Sequence, residues 1–344
     1  MSPDWEDLIR RFVGVQNRRL VIGCCGGNGL GKSNFLNALI DRFNSVGTSV
    51  CMLETDLRAP IHTPPGMVSI KRCGDQESSS NAVFVGDYMA NQVPITYLRS
   101  IQYLLEEDCF VSERVVIINT HGWTVGLGAH LVLSILNAAK VTHVVHFKSI
   151  PDDLDFANVS ASLREIFLPT PIVDQSNSSR DLYFTRLLSY FGIRVLQDLV
   201  IKTPLSILLK DVKVVRGPSC PDSAINMLHI LNRSLVGLCS GSRCWGLGFV
   251  VAIDEATERL YIQTPIDQVS MIENNVDTLV LNRMENPLQL LCERGLSNVA
   301  WTGAQPFFAF KDQVFQSSRS TNPKYFRRRR LENADLEKER NKLF

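Results

Sequence analysis

The residues with the clearest potential for chemistry lie at 26–33, where the sequence reads Gly-Gly-Asn-Gly-Leu-Gly-Lys-Ser. This octapeptide matches the pattern G-x-x-x-x-G-K-S/T of a phosphate-binding loop, or P-loop. Its glycines allow consecutive backbone N–H groups to converge on phosphate, and the N-terminus of the following helix adds a positive dipole. In a P-loop, Lys32 would reach the β- and γ-phosphates of a nucleotide and Ser33 would hold Mg²⁺. The predicted nucleotide-binding residues are Gly26, Gly27, Asn28, Gly29, Leu30, Gly31, Lys32, Ser33 and Asn34.

The segments on either side of this loop are of the types that a P-loop requires. An apolar run at 20–25 predicts a buried strand, and the residues after the loop place apolar side chains at helical spacing. These apolar residues are Phe35, Leu36, Leu39, Ile40 and Phe43. The alternative is a glycine-rich turn that only starts a helix, and the complete strand–loop–helix context argues against it.

A second candidate site residue, Asp56, closes the next predicted strand. The run at 48–56 is apolar until it ends in acids, and Asp56 lies 24 residues after Lys32. In P-loop enzymes an acid at such a place can hold Mg²⁺ or act as the catalytic base. An acid in the turn at the end of a strand is the alternative interpretation.

Three residues further along the chain could contact a substrate. Trp123 follows a third predicted strand at 115–120, where its ring could stack on a nucleobase or could be a partly buried aromatic. Arg180 and Arg186 lie at and beyond the end of a polar segment, 151–180, that we expect to be mobile. Arginines near a P-loop can act as a lid on the transferring phosphate, and a solvated helix face is the alternative.

The order of these elements predicts the fold class and the domains. Strands and helices alternate up to residue 150, which is typical of an α/β P-loop NTPase with a parallel sheet and helices on both faces. Residues 57–82 are predicted to form a loop over the carboxyl end of that sheet. Strand-like runs flank a turn at 254–258 and predict a small β-rich C-terminal domain. The predicted divisions are a P-loop domain at 1–200 with a lid segment at about 151–190, the β-rich domain at 201–322 and a charged tail at 323–344.

Composition narrows the classes of protein that remain. The chain has 344 residues, 45% hydrophobic and 21% charged, with a formal net charge of +1, so any nucleic-acid surface must be local. Nine cysteines without a repeated C-x-x-C argue against a zinc ribbon or a secreted disulfide framework. No apolar run has the length of a membrane span, so we expect an intracellular protein that makes no membrane contact. Four consecutive arginines at 327–330 suggest nuclear import or an RNA contact, with a merely solvated tail as the alternative.

Several stretches together resemble the eukaryotic polynucleotide 5′-hydroxyl kinase family, and most closely its nucleolar branch, which acts in pre-ribosomal RNA processing. The Thr-Pro-Pro-Gly and Asn-Thr-x-Gly-Trp stretches are more specific than the P-loop. The matching stretches are 26–33, 53–57, 63–69, 118–123, 142–145 and 186–191, followed by 237–265 in the carboxyl-terminal part.

The resemblance implies roles for the residues that match. Lys32 and Ser33 would bind ATP phosphates and Mg²⁺, and Asp56 would activate an RNA 5′-hydroxyl and contribute to the metal site. Thr120 and Trp123 would belong to a clasp that holds the terminal nucleotide. Arg186 would be the lid arginine, with Arg180 as the second candidate. The resemblance also implies ATP as phosphate donor, pre-rRNA with a 5′-hydroxyl end as substrate, a Las-type endonuclease as partner, and a location in the nucleus and nucleolus.

The sequence departs from the family pattern in two places. After Asp56 and the residue that follows it, the family usually has Gly-Gln, whereas this chain has Arg58-Ala59. Family members also carry a domain before the P-loop, and only about 20 residues precede it here. The alternative function is therefore a catalytically weak or inactive, kinase-like scaffold that binds nucleotide and supports the endonuclease. A GTPase-like switch ranks last, because no Asn-Lys-x-Asp or Thr-Lys-x-Asp motif is present.

Overall fold

The computed structural model describes most of the chain up to residue 284. The described residues are 3–15, 18–74, 80–148, 151–157, 159, 164–168, 179–192, 204–218, 220, 227–282 and 284. The predicted boundaries at 200 and 322, and the whole charged tail, lie outside these residues, so the division into domains stays a prediction.

A seven-stranded sheet carries the P-loop. Its strands are β1 (Leu20–Gly26), β2 (Val50–Glu54), β3 (Met67–Cys73), β4 (Ser80–Phe84), β5 (Val115–Asn119), β6 (His143–Phe147) and β7 (Arg164–Leu168). In space they follow the order β4-β3-β2-β5-β1-β6-β7. Five neighbouring strands, β2, β5, β1, β6 and β7, run parallel, so their carboxyl ends meet at one edge of the sheet. The central strands β1, β2 and β5 are buried along their whole length, which fits their apolar sequences.

Helices cover both faces of this sheet, as the sequence predicted. The helices are α1 (Pro3–Val13), α2 (Lys32–Ser45), α3 (Pro94–Leu105), α4 (Asp108–Ser112), α5 (Leu127–Ala138), α6 (Ser179–Tyr190), α7 (Met227–Leu231) and α8 (Gln268–Glu273). One face packs against α1 and α2, and the other packs against α3 and α5. Among the described helices, none has both the length and the apolar character needed to cross a membrane.

The sheet departs from the prediction at one edge, because it is mixed rather than purely parallel. Strands β3 and β4 form a hairpin, and β3 pairs antiparallel with β2. This hairpin occupies much of residues 57–82, for which the sequence predicts a loop. Gly66, at φ 83°, ends the Thr-Pro-Pro-Gly turn and begins this hairpin. The strand that follows is mostly buried, and only Lys71 and Arg72 near its end are partly exposed, so it shows no regular alternation of apolar and polar residues. Strand β7 likewise lies in the segment 151–180, for which the sequence predicts a polar and mobile stretch rather than a strand.

A second sheet forms the predicted β-rich part. Its strands are β8 (Leu205–Leu208), β9 (Lys213–Arg216), β10 (Leu235–Ser240), β11 (Arg243–Asp254), β12 (Arg259–Gln263) and β13 (Thr278–Leu281), in the order β8-β12-β11-β10-β13-β9. The predicted turn between β11 and β12 is confirmed, and the Asp254 side chain accepts hydrogen bonds there from the backbone amides of Ala256 and Thr257. The second sheet packs on the edge hairpin of the first, where a Cβ at Gly237 would lie 2.5 Å from the Phe84 ring.

Candidate functional site

The P-loop has the backbone geometry that its glycines predict. β1 ends at Gly26, where φ is 128° and an added Cβ would lie 1.9 Å from the carbonyl oxygen of Phe147. Gly31 precedes the first residue of α2 with φ at 90°, a left-handed conformation that other residues rarely adopt. The loop therefore ends at the N-terminus of a helix, the position at which backbone N–H groups and the helix dipole favour an anion.

Lys32 begins α2 and folds back over the loop. Its Nζ donates hydrogen bonds of 2.8 Å to the carbonyl oxygens of Gly26 and Gly27. Burial lowers the pKa of Lys32, and the negative charge of Asp56 opposes that shift. A buried ammonium held only by neutral carbonyls is a strong site for a negatively charged oxygen, because such a partner would compensate the buried charge better.

Asp56 lies just beyond β2 at the same edge of the sheet. Its Oδ1 accepts hydrogen bonds from the backbone amides of Arg58 at 3.0 Å and Ala59 at 3.4 Å. Within the described part of the chain, Oδ2 has no hydrogen-bond partner, and Asp56 lines the cavity described below. One carboxylate oxygen thus fixes the side chain, and the other is available for a proton or a metal ion.

Glu54, at the end of β2, is a residue whose role the sequence analysis missed. Its Oε1 accepts from the Asp56 amide at 2.9 Å and its Oε2 accepts from the Ile61 amide at 3.0 Å. Asn119, at the end of β5, donates to both oxygens at 2.8 and 3.0 Å. Glu54 thus holds the turn that carries Asp56, and the four hydrogen bonds that it accepts leave it no oxygen to offer a metal ion. The signal in the sequence was its place two residues before Asp56.

Burial and the neighbouring charge of Asp56 raise the pKa of Glu54 to about 8, while the bonds from Asn119 and the two amides act in the opposite direction. When the pKa of a carboxyl group is higher in the folded state than in the unfolded chain, its contribution to stability is fully present at pH values below the unfolded-state pKa. This contribution is lost as the pH rises through the folded-state pKa. Between about pH 5 and pH 8 we therefore expect the stability of the parent protein to fall relative to a Glu54→Gln variant, by at most about 1.4 kcal/mol per pH unit.

Urea unfolding of both proteins at pH 5, 6.5 and 8 measures this difference. Glu106→Gln, at an exposed position after α3, is the matched control and should follow the parent at every pH. If the parent and Glu54→Gln lose stability in parallel, Glu54 does not titrate in this range.

The segment after β5 brings Thr120 and Trp123 to different environments. Thr120 is fully buried, and its hydroxyl donates to the carbonyl oxygen of Cys24 in β1 at 2.9 Å. It therefore joins the ends of two neighbouring strands beneath the P-loop. Trp123 is partly exposed and lines the cavity, and a Cβ at Gly128 would lie 2.3 Å from its ring, so the start of α5 packs closely against it.

A cavity of about 460 Å³ lies at this edge of the sheet, within the range of small-ligand sites. The predicted residues that line it are Gly27, Asn28, Asp56 and Trp123, and the sequence analysis did not anticipate the others. The remaining lining residues are Leu57, Arg58, Tyr88, Met89, Ala90, Asn91, His121, Gly122, Thr124, Val125 and Pro151. The structure thus brings the P-loop, the acid after β2 and the aromatic residue after β5 to one cavity.

Arg58 and His121 change the electrostatics of this cavity. The Arg58 guanidinium donates a hydrogen bond to the Asn28 side chain, which places a positive charge beside the P-loop. Burial lowers the pKa of His121 to about 4. The charge of Asp56 raises this pKa, and the charges of Lys32 and Arg58 lower it further. His121 is therefore neutral near pH 7.

The two predicted lid arginines lie on α6. The side chain of Arg180 lies outside the described residues, and Arg186 is exposed and is not one of the residues that line the cavity. The helix itself is anchored beside the cavity, because the ring of Tyr183 stacks on that of cavity-lining Tyr88 with their centroids 4.2 Å apart. The lid role of both arginines stays a prediction.

Comparison with known proteins gives two adjacent family matches. Residues 26–191 match the model of the mRNA cleavage and polyadenylation factor CLP1 P-loop, and residues 201–287 match the model of the NOL9-like C-terminal domain. A solved complex of wild-type Clp1p with a piece of Pcf11p has a similar fold, with a TM-score of 0.59 at 13% identity over 82% of this chain and 78% of that one. At that identity the likeness concerns the fold alone.

Among curated proteins, the chain is similar to enzymes named polynucleotide 5′-hydroxyl-kinase NOL9. It is 25% identical to that of Arabidopsis thaliana over 319 residues, which cover 78% of this chain and 86% of the relative. It is 24% identical to that of Danio rerio over 366 residues, which cover 84% of this chain. The chain spans about half the length of the latter, with 49% of it covered.

Proposed function

We propose that the chain is a polynucleotide 5′-hydroxyl kinase, because residues 26–191 match the CLP1 P-loop model and residues 201–287 match the model of the NOL9-like C-terminal domain. The reaction would transfer the γ-phosphate of ATP to the 5′-hydroxyl end of an RNA. The observation that carries this proposal is the single cavity in which a P-loop, an acid with one unbonded carboxylate oxygen and an aromatic ring meet. The curated relatives named as polynucleotide 5′-hydroxyl-kinases support the same reaction.

The residues present fit ATP and Mg²⁺. Lys32 can exchange its two carbonyl partners for phosphate oxygens, and Ser33 lies in the first turn of α2 beside it. Mg²⁺ is usually held by one or two protein oxygens together with substrate phosphates and waters. The residues described contain no group of three or more His, Cys, Asp or Glu side chains that could hold a metal ion. Ser33 and Asp56 would supply the one or two protein oxygens that Mg²⁺ needs beside the phosphates. When bound, the ion would neutralise charge on the β- and γ-phosphates.

Each remaining step is assigned to a residue of this chain. Oδ2 of Asp56 would take the proton of the attacking 5′-hydroxyl while Oδ1 keeps the side chain in place through the two amide hydrogen bonds. The ring of Trp123 would stack on the terminal base. Arg58 would add positive charge beside the P-loop, and Arg186 or Arg180 of α6 would act as the lid arginine on the transferring phosphate. Thr120 would contribute by joining the strand ends that carry the clasp.

An assay of γ-phosphate transfer tests this proposal. The full chain is incubated with γ-labelled ATP, Mg²⁺ and an oligoribonucleotide with a 5′-hydroxyl, and the same oligonucleotide with a 5′-phosphate is the control. We expect label to enter only the 5′-hydroxyl RNA, because the phosphorylated end has no nucleophile. Absence of labelled RNA at enzyme concentrations equal to the substrate would contradict the kinase assignment.

A nucleotide-binding scaffold is the second candidate, and the observation that favours it is Arg58-Ala59 in place of the family's usual Gly-Gln. In that case the chain would bind ATP without transferring phosphate. ATP titration alongside the transfer assay separates the two candidates, since only the scaffold binds ATP and leaves the RNA unlabelled.

We further propose that the enzyme acts in pre-rRNA processing in the nucleolus and that its partner is a Las-type endonuclease. Such a nuclease would supply the 5′-hydroxyl ends that the kinase consumes. Four arginines at 327–330 would assist nuclear import or RNA binding. Imaging of the tagged full chain tests the location, and absence from the nucleus would contradict it.

A further inference from the structure

His121 is a buried residue of the cavity whose hydrogen-bonding capacity is only half used. Its side chain is 7% exposed and lines the cavity between the ring of Tyr97, at 5.9 Å, and that of Trp123, at 6.4 Å. Its Nδ1 accepts a hydrogen bond from the backbone amide of Trp123 at 3.3 Å. Its Nε2 has no hydrogen-bond partner among the described residues.

The bond to Nδ1 determines which nitrogen carries the proton. A neutral imidazole has one N–H donor and one acceptor nitrogen, and the Trp123 amide can only donate. Nδ1 is therefore the acceptor and Nε2 carries the hydrogen. The unused group is an N–H donor in a buried place, and leaving a buried donor unsatisfied is costly.

Burial keeps His121 neutral. It lowers the pKa of His121 to about 4, and of the three charges nearby Asp56 opposes this shift while Lys32 and Arg58 add to it. The imidazole is already protonated at Nε2, so at neutral pH that atom cannot take the proton of a hydroxyl. It can only donate a hydrogen bond.

We propose that Nε2–H of His121 donates a hydrogen bond to a phosphate oxygen of the bound substrates and so helps to bind and orient them. The oxygen belongs either to the γ-phosphate of ATP or to the first phosphodiester of the RNA, because both would lie near Lys32 and Asp56 in the reaction proposed above. This inference rests on that proposed function for its substrates. Preorganised donors in a buried site act strongly on oxygens that carry negative charge.

Neighbouring groups favour an acceptor of this kind. Lys32 and Arg58 make the environment of the cavity positive, and the carboxylate of Asp56 is held by its own two backbone bonds. In the Asn-Thr-x-Gly-Trp stretch, His121 occupies the position that the pattern leaves open. The donor is therefore a feature of this chain and not of the motif.

Four variants test the donor. His121→Phe keeps an aromatic ring without N–H, His121→Gln places an amide N–H near the position of Nε2, and His121→Asn reaches only the position of Nδ1. His130→Phe, at an exposed position of α5, is the matched control. Dissociation constants for ATP, ADP and a 5′-hydroxyl oligoribonucleotide are measured for each, together with kcat/KM at pH 6, 7 and 8.

We expect His121→Phe and His121→Asn to lose about 10- to 100-fold in kcat/KM, the usual effect of removing a hydrogen bond to a charged group. His121→Gln should recover to within a few fold of the parent, and His130→Phe should equal it. If His121 contacts the γ-phosphate, the His121→Phe and His121→Asn variants should show a smaller preference for ATP over ADP than the parent. If it contacts the phosphodiester, these variants should bind RNA more weakly and bind both nucleotides as the parent does. The losses should be equal at the three pH values, because His121 does not titrate between them.

Several results would overturn the inference. If His121→Phe and His121→Asn both have the dissociation constants and kcat/KM of the parent, the donor is unused. If kcat/KM of His121→Gln is as low as that of His121→Phe, the shape of the ring matters instead. A loss that disappears at pH 6 would indicate proton transfer. If the parent itself transfers no phosphate, the proposed kinase function fails. The ATP, ADP and RNA constants still decide whether His121 binds a phosphate.

Discussion

Replacing Asp56 with Asn is expected to lower kcat for RNA phosphorylation by about 10²- to 10⁴-fold, the usual contribution of a general base. The amide oxygen of Asn can still accept from the Arg58 and Ala59 backbone amides, so the turn should keep its shape. What changes is the second oxygen, which becomes an NH₂ group and cannot accept a proton. ATP affinity should stay within a few fold, because the P-loop is untouched.

The measurement is kcat together with the ATP dissociation constant at matched Mg²⁺. Asp41→Asn, on the exposed side of α2, controls for the loss of one negative charge. Combined loss of rate and of ATP binding would instead assign Asp56 to the metal. A near-parental kcat would remove Asp56 from catalysis and favour the scaffold.

The main features of the fold could be predicted from the sequence because they depend on local patterns. The strand, loop and helix around residues 26–33 are consecutive, and each has its own signal. The hairpin of β3 and β4 was missed because it depends on antiparallel pairing with the edge of β2, which no local pattern in residues 57–82 indicates. Its first strand follows a turn rich in proline and glycine, so the whole segment reads as a loop.

The site could be predicted only in part, for a similar reason. Lys32 belongs to the P-loop pattern, and Asp56 closes the next strand, where P-loop enzymes can place a metal-holding or catalytic acid. The role of Glu54 depends on Asn119, 65 residues away in sequence, and becomes visible only when β2 and β5 pair. The protonation of His121 depends on burial and on three charges, one from the P-loop helix and two from the turn after β2. No single-sequence pattern contains such information, although Glu54 lies two residues before Asp56 and His121 is adjacent to Thr120.

The second large effect is expected at Lys32, where an Ala substitution should lower phosphoryl transfer by about 10³-fold or more. The structure also predicts that affinity and rate respond differently. Nζ now bonds the carbonyl oxygens of Gly26 and Gly27, so on binding ATP it exchanges two hydrogen bonds for others. The gain in affinity is only the difference between these partners. The rate depends on the full positive charge, because charge shifts among the phosphate oxygens in the transition state.

We therefore expect Lys32→Ala to raise the ATP dissociation constant by much less than it lowers kcat. Lys32→Met, which keeps the length of the buried side chain without its charge, should show the same loss of kcat with a smaller loss of stability in urea. Lys210→Ala, at an exposed lysine after β8, is the control for a general loss of positive charge. Equal effects on affinity and rate would mean that Lys32 binds ground state and transition state alike. Unchanged RNA phosphorylation in both variants would exclude the P-loop lysine from the mechanism, because Nζ of Lys32 is the group that contacts the backbone of that loop.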